Sequence, residues 1–148
     1  MTSWQLTIDC ADPTRMVRFW GPLLGYEVAP PPPGHPTWNA WYLSVGVPED
    51  ELDLEGDGAD RLVDPTGRGP AIWFQVVPEA KTIKNRLHLD LLVGGGSSGE
   101  YAARKAAVRA AVAAVEATGG SVREVTDEPG QRYAVGVRDP EGNEFCLT

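Results

Sequence analysis

The feature that most limits what this chain can fold into is an internal repeat. QLTIDCAD, which begins at Gln5, reads like HLDLLVGG, which begins at His88. Both segments alternate apolar and polar residues, as a strand with one buried face does. Laying one over the other pairs Gln5 with His88 and Thr7 with Asp90. The sequence therefore predicts two copies of one structural unit, each of which opens on a strand.

Turn motifs repeat at the other end of each copy. VDPTGRG, residues 63–69, parallels RDPEGNE, residues 138–144. Proline presets φ at one centre of a turn, and glycine accepts conformations closed to other residues. We therefore interpret Asp64 and Asp139 as turn residues without a catalytic role. Each turn leads into a last strand, AIWFQVVP in the first copy and EFCLT in the second.

A helix is predicted between the outer strands of the first copy. Asp12 suits the capping position and Pro13 the first helical position. Because Pro22 fits a helix interior poorly, we expect the helix to kink or end near Gly21. Its apolar residues recur at helical spacing, and they are Met16, Phe19, Trp20 and Leu23.

The second copy has a longer helix, predicted over the alanine-rich run 101–118. Ser97 and Glu100 have the spacing of a capping box at its start. Gly119 and Gly120 mark its end, since glycine commonly follows the last turn of a helix.

Residues 30–60 are the part in which the copies differ. APPPPGHPTW and VPEDELDLEGDG are typical of exposed, mobile loops, and they lie beside the strand-like segments YEVA and WNAWYLSV. The rings of this region fit either a lid over a site or packing within the loops, and they belong to His35, Trp38, Trp41 and Tyr42. Each copy is thus predicted as a strand, a helix and three further strands.

Composition and charge limit the function. The 148 residues, 42% hydrophobic and 23% charged, suit one globular domain. A formal net charge of −8 opposes nucleic-acid binding, which depends on Lys and Arg neutralising phosphates. No segment nears the roughly 18 apolar residues of a membrane helix, and the N-terminus does not resemble a signal peptide. We expect a cytoplasmic protein without a membrane partner, in which Cys10 and Cys146 stay as thiols.

Five motifs resemble those of the vicinal oxygen chelate superfamily, and most closely its glyoxalase-like branch, grouped with bleomycin-resistance proteins. In chain order they are IDCADP, FWGPLLGYEV, WFQVVPE, KNRLHLDL and DPEGNEFCL. The resemblance spans the chain except for about residues 30–60. It implies a single α+β domain of two βαβββ modules, about residues 1–80 and 84–148, which form a curved mixed sheet around a cavity. It also makes a homodimer possible.

The resemblance implies a site as well. Metal enzymes of the superfamily take one ligand from the first strand and one from the last strand of each module. These positions correspond here to Gln5, Gln75, His88 and Cys146. Two amides, one imidazole and one thiol are poor ligands for a divalent ion that prefers carboxylate oxygen and imidazole. We therefore expect no tightly bound metal.

Neighbours on the same strand faces extend this site. Trp73 shares a face with Gln75 and would supply a flat apolar wall. Glu144 lies two residues before Cys146 and could replace it as a ligand, should an ion bind. The predicted ligand-binding residues are Gln5, Trp73, Gln75, His88, Asp90, Glu144 and Cys146. The corresponding metal set is Gln5, Gln75, His88 and Glu144.

Simpler roles are open to these side chains. Trp73 could equally be a core residue. Gln5 and Gln75 could form hydrogen bonds with backbone groups or water. His88 could be a hydrogen-bonded histidine, and Cys146 a small buried hydrophobe. A nucleophilic Cys146 would need His88 as its base or positive charge.

Two functions follow from the resemblance. The first is binding of a small organic molecule in the intermodule cavity, without a native metal. The alternative is a divalent-metal-dependent enzyme of the lyase, isomerase or dioxygenase type, in which the ion chelates vicinal oxygens of a substrate. The poor ligand set favours the first.

Overall fold

The computed structural model describes residues 2–54, 56–95 and 99–148. The chain divides into two compact units, residues 1–80 and 81–148. No helix in the described part of the chain is both long and apolar enough to cross a membrane.

The helices and strands follow the order expected from the repeat. The first unit contains β1 (Gln5–Cys10), α1 (Pro13–Leu24), β2 (Glu27–Val28), α2 (Trp38–Ser44), a 3₁₀ turn (Glu49–Glu51), β3 (Arg61–Val63) and β4 (Ala71–Val76). The second unit contains β5 (Asp90–Leu91), α3 (Tyr101–Ala117), β6 (Ser121–Glu128), β7 (Arg132–Arg138) and β8 (Glu144–Leu147).

The two sheets have the same topology. Their strand orders are β1-β4-β3-β2 and β5-β8-β7-β6. In each sheet the first and last strands of the unit pair in parallel, and the other neighbours are antiparallel. Apart from α2 and the 3₁₀ turn, each unit is a strand, a helix and three strands. The predicted α+β fold of two βαβββ modules with mixed sheets is confirmed.

The core of the first unit lies between β4 and α1. Ile72 and Phe74 alternate with half-buried neighbours on β4 and are 2% and 1% exposed. Met16, Phe19 and Trp20 recur at helical spacing and are buried on α1. Burial of side chains this large contributes roughly 1.5–3 kcal/mol each. Because strand residues alternate between faces, this packing leaves the opposite face of β4 available for a site.

The start of α1 is as predicted and its end is not. Asp12 caps the helix, its Oδ1 accepting a hydrogen bond from Arg15 N at 2.9 Å. An end near Gly21 is wrong, since the helix continues to Leu24, and the alternative of a kink there stays a prediction. Pro22 therefore lies in the last turn, where it removes the one backbone N–H that would donate to the carbonyl of Arg18.

The segment WNAWYLSV is a helix, so its strand-like interpretation was wrong. Thr37 caps α2, its Oγ1 accepting a backbone hydrogen bond of 3.0 Å from the first turn. Trp38, Trp41 and Tyr42 have the i, i+3, i+4 spacing that places side chains on one face of a helix. Capping and this apolar face outweigh the strand preference of the aromatic residues.

That aromatic face packs within the region expected to be an exposed loop. Trp38 is buried together with Ala29 and Ala59. Its Nε1 donates a hydrogen bond of 2.8 Å to the carbonyl oxygen of Ala29. The rings of Trp41 and Tyr42 lie 5.6 and 6.1 Å from that of Trp38, centre to centre. These three rings therefore pack with one another, and exposure was the wrong expectation for Ala29 and Trp38.

The long helix of the second unit matches its prediction. The run 101–118 forms α3 with Thr118 as its C-terminal capping position. Val108 and Val115 are buried, and the helix packs on β7. The expected capping box is wrong, since Glu100 is itself the N-terminal capping position and its side chain makes no capping hydrogen bond. Ser97, the other member of the expected capping box, lies outside the described residues.

Both Asp-Pro-x-Gly motifs form turns organised by their aspartates. Asp64 accepts hydrogen bonds from the backbone N–H groups of Thr66 at 2.8 Å and Gly69 at 2.6 Å. These bonds favour the ionised form and lower the pKa of Asp64 to about 2. Asp139 Oδ1 accepts a bond of 2.9 Å from Asn143 N in the second turn. Both aspartates therefore act as turn residues in the structure.

Candidate functional site

The first unit contains a cavity of about 540 Å³. It is bounded by β4, α2, the 3₁₀ turn and the segment that enters α1. Trp73, Tyr42 and Leu52 contribute apolar surface to its wall, and Gln75 contributes an amide. Trp73 and Gln75 thus line one cavity, together with Phe74 and Val76 from the same strand. Their part in an intermodule cavity stays a prediction.

A buried carboxylate fixes two of the rings in this wall. Asp60 is 7% exposed, and its Oδ2 accepts hydrogen bonds from Tyr42 OH at 2.5 Å and Trp73 Nε1 at 2.7 Å. Its Oδ1 pairs with the guanidinium of Arg61 at 3.0 Å. Burial, followed by the hydrogen bond to Asp60, raises the pKa of Tyr42 to about 12, so the phenol keeps its proton at neutral pH.

Arg61 supports the same wall from a second direction. Its Cζ lies 4.5 Å from the ring centre of Trp38 and 5.3 Å from that of Trp73. Both distances are within the range of cation–π attraction. The indole of Trp73 is therefore held by a hydrogen bond at its nitrogen and by a cation at its ring.

Carboxylates dominate the charge around the cavity. Five line it, and they belong to Asp12, Asp50, Glu51, Asp53 and Asp60. The described lining residues include no Lys or Arg, and Arg61, which pairs with Asp60, lies outside the lining. Asp53 also accepts hydrogen bonds from Thr14 Oγ1 at 2.5 Å and Gly56 N at 3.2 Å. The potential inside the cavity is therefore negative, which disfavours anionic ligands.

The two glutamines of the predicted set lie at opposite ends of the β1–β4 pair. Gln75 is in register with Asp9, whereas Gln5 is in register with Ala71. Four residues along a strand correspond to about 13 Å. Gln75 lines the cavity, and Gln5 is an exposed residue at the beginning of β1.

In the second unit the structure brings three predicted residues together. Single ligand atoms of His88, Asp90 and Cys146 all lie within 4.8 Å of one another. The register of β5 and β8 places Asp90 opposite Cys146. His88 Nε2 lies 3.5 Å from Asp90 Oδ1, and these two side chains are 43% and 57% exposed. The convergence of this cluster with Gln5 and Gln75 stays a prediction.

The donor atoms of this cluster suit a borderline metal ion better than a hard one. An imidazole, a carboxylate and a thiolate are all known zinc ligands. Burial, followed by the negative charge of Asp90, raises the pKa of the Cys146 thiol. The thiol must therefore lose its proton before it can bind an ion, and it is a weak nucleophile at neutral pH.

Glu144, the proposed replacement ligand, has other partners. Its Oε2 accepts a hydrogen bond of 2.9 Å from Asn85 N and pairs with Lys81 Nζ at 3.0 Å. The backbone hydrogen bond from Asn85 is the main reason that its pKa falls to about 2. The carboxylate thus ties the segment before β5 to the start of β8. Its role as a metal ligand stays a prediction.

The sequence matches the family described as glyoxalase-like domains over residues 5–148. The chain belongs to the glyoxalase-like domain family. This membership confirms the resemblance to glyoxalase and bleomycin-resistance proteins. No curated protein matches the sequence.

Solved structures similar to this glyoxalase-like protein share its fold at low sequence identity. A hypothetical protein, SA1046, from S. aureus has a TM-score of 0.60 at 15% identity, covering 99% of this chain and 92% of that one. Fosfomycin resistance protein FosX from Mesorhizobium loti has a TM-score of 0.57 at 11% identity, covering 99% and 89%. A glyoxalase/bleomycin resistance protein/dioxygenase family enzyme from Burkholderia phytofirmans PsJN has 0.55 at 17% identity, covering 97% and 94%.

Asp60 and Arg61 are among the site residues that the sequence did not reveal. Asp60 ends an acidic segment in which nothing distinguishes it from its neighbours. Its partners Tyr42 and Trp73 are 18 and 13 residues away along the chain. The only available signal was an acidic residue next to an arginine at the start of a strand, which is too common to identify a site.

Proposed function

We propose that this glyoxalase-like protein binds a small organic molecule with a flat apolar part in the cavity of its first unit. The preorganised wall carries the proposal, since Asp60 holds both Trp73 and Tyr42 by hydrogen bonds of 2.7 and 2.5 Å. Rings that are already fixed lose little conformational freedom when a ligand stacks on them. The other residues predicted from the sequence, Gln5, His88, Asp90, Glu144 and Cys146, stay candidates for ligand contacts.

Size and polarity support a ligand of this kind. A volume of about 540 Å³ lies within the range of roughly 300–1,000 Å³ that is typical of small-molecule sites. Gln75 offers both a donor and an acceptor beside the aromatic wall. One apolar wall with a few polar groups is the arrangement that orients a small ligand.

The charge of the cavity narrows the ligand class. Five carboxylates line it, and Asp60 is the one paired with Arg61. A ligand carboxylate or phosphate would be repelled there, whereas an amine would be attracted. We therefore infer that the ligand is neutral or cationic.

A metal-dependent enzyme is the second candidate, and the cluster of His88, Asp90 and Cys146 favours it. These side chains would hold a zinc-like ion, which would supply a Lewis acid for an anion forming on vicinal oxygens of a substrate. Burial, followed by the charge of Asp90, raises the pKa of the Cys146 thiol, which opposes ion binding. We rank this function second and expect no tightly bound native metal.

Matched probes test the proposed binding. Naphthylmethylamine, naphthalenemethanol and naphthoic acid share a ring and differ in charge. We expect the amine and the alcohol to raise the melting temperature of the protein, and the acid to raise it less. No stabilisation by any of the three would contradict the proposal. About one divalent ion per chain after purification without added metal would make the metal-dependent enzyme the better-supported function.

We also infer a cytoplasmic protein whose partner is a small molecule, with no nucleic-acid or membrane partner. The negative net charge supports the inference that nucleic acid is not a partner. Sedimentation of the purified chain would decide whether it forms a homodimer.

A further inference from the structure

The second unit contains a cavity of different chemistry. Its volume is about 420 Å³, and four of the 13 Lys and Arg residues line it. These residues, here called the basic pocket, are Lys81, Lys84, Arg123 and Arg138. Glu144 is the carboxylate among the described lining residues. We propose that the basic pocket binds a small-molecule oxyanion with two negative charges, of which phosphate is the simplest.

The fold gathers these cations from three separate places. Arg138 ends β7 and is in register with Glu144 at the start of β8. Arg123 occupies a bulge in β6, because Val122 pairs with Val137 while Glu124 already pairs with Gly136. A bulge re-aims the side chain of its extra residue.

Lys81 and Lys84 come from the segment that precedes β5. Glu144 anchors this segment, since it accepts a hydrogen bond from Asn85 N and pairs with Lys81 at 3.0 Å. Lys81 Nζ also donates to the carbonyl oxygen of Ile83 at 2.6 Å. The segment is thus held against the start of β8, and Lys84 lines the pocket with it.

The carboxylates nearby balance only part of this charge. Glu144 offsets Lys81. Glu124 pairs with Arg123 at 3.0 Å, but its side chain is 59% exposed, and exposed ion pairs contribute little and are readily exchanged. Lys84 and Arg138 are exposed side chains that also line the pocket. Two to three positive charges are therefore available to a ligand, in a protein whose net charge is −8.

These donors match an oxyanion. Arginine presents N–H groups in a planar fork that binds phosphate through two parallel hydrogen bonds, and lysine adds a point charge. Thr82 also lines the pocket, and its hydroxyl can donate a further bond. The volume leaves room for an organic group beyond the phosphate. This inference does not depend on the cavity of the first unit, whose carboxylates would repel the same ligand.

Titration of the whole protein with inorganic phosphate and with phenyl phosphate, followed by amide NMR shifts, tests the proposal. Chloride at equal ionic strength is the salt control. We expect saturable shifts at residues 81–84 and at Gly142. Tighter binding of phenyl phosphate would identify a phosphate monoester as the occupant, and equal binding would identify free phosphate.

A double variant, Lys84→Gln with Arg138→Gln, should bind phosphate about tenfold more weakly or worse, because it removes two charge-assisted contacts. Its control is Arg15→Gln with Arg18→Gln, which removes the same charge from exposed positions on α1 and should leave binding unchanged. Should the first double variant misfold, Lys84→Gln alone serves the same comparison. Equal losses in variant and control, or equal shifts with chloride, would overturn the proposal.

Discussion

Trp73 occupies in the first unit the register position that Cys146 occupies in the second. Thr7 pairs with Trp73 across β1 and β4, and Asp90 pairs with Cys146 across β5 and β8. The sequence repeat had already aligned Thr7 with Asp90. The two units therefore have different residues at the same position. In the first unit it is Trp73, whose ring lines a cavity, and in the second it is Cys146, whose thiol lies beside the carboxylate of Asp90.

Removing the carboxylate that fixes this ring should destabilise the protein. Asp60→Ala leaves the N–H of Trp73 and the hydroxyl of Tyr42 without their acceptor, and Arg61 without its ion pair. We expect the free energy of unfolding to fall by about 2 kcal/mol in urea. Glu116→Ala, an exposed control, should change it by no more than about 0.5 kcal/mol. An effect of Asp60→Ala as small as the control's would contradict the assigned role.

Tyr42 should make the protein sensitive to alkaline pH. Its pKa is raised from 10.0 to about 12 in the folded state, so its protonated form is favoured by folding. This stabilisation is complete below the unfolded pKa and is lost as the pH rises from about 10 to 12. Unfolding free energies measured across this window should fall more steeply for the parent than for Tyr42→Phe. If the two proteins gave parallel curves, the pKa of Tyr42 would not be raised by folding.

The predictions that succeeded rest on local chemistry or on the repeat. Asp12 caps α1 because its neighbours in sequence supply the N–H groups, and paired motifs predicted both modules. The wrong strand assignment of α2 and the missed role of Asp60 both depend on tertiary contacts. α2 packs through Trp38 against Ala29 and Ala59, which lie outside the helix. The segment WNAWYLSV alone gives no sign of these contacts. Asp60 becomes recognisable only once folding brings Tyr42 and Trp73 to it.

The parent protein should respond little to divalent ions, whereas Cys146→Glu should respond strongly. The variant places a carboxylate beside His88 and Asp90 and needs no thiol to ionise. Binding to the folded state alone adds about 2.7 kcal/mol at a hundredfold excess over Kd. Melting temperatures with Ni²⁺, Zn²⁺ or Mn²⁺ should therefore rise for this variant.

Cys146→Gln is the matched control for that experiment, because it has similar size and no charge. It should behave like the parent. Without metal, Cys146→Glu should be the less stable protein, since its new carboxylate is partly desolvated beside Asp90. A parent that responds as strongly as the variant would show that His88, Asp90 and Cys146 already form a metal site.

The Cys146 thiol should react slowly with iodoacetamide at neutral pH. Burial and the charge of Asp90 raise its pKa, which keeps the thiolate fraction low. Asp90→Asn should accelerate the reaction because it removes one of these causes, and mass spectrometry would follow both rates. If the parent were alkylated faster than an unstructured cysteine peptide, the result would support a nucleophilic role for Cys146.

The indole N–H resonance of Trp73 tests ligand binding in the first unit most directly. Trp73→Phe assigns this resonance, and titration with naphthylmethylamine reports on the cavity wall. Trp4, whose side chain is 68% exposed and which does not line the cavity, provides the matched control. We predict a saturable shift at Trp73 and none at Trp4. Trp73→Ala should bind about tenfold more weakly or worse, and Trp4→Ala as the parent does. No shift at Trp73, or equal losses in the two alanine variants, would contradict a binding site in this cavity.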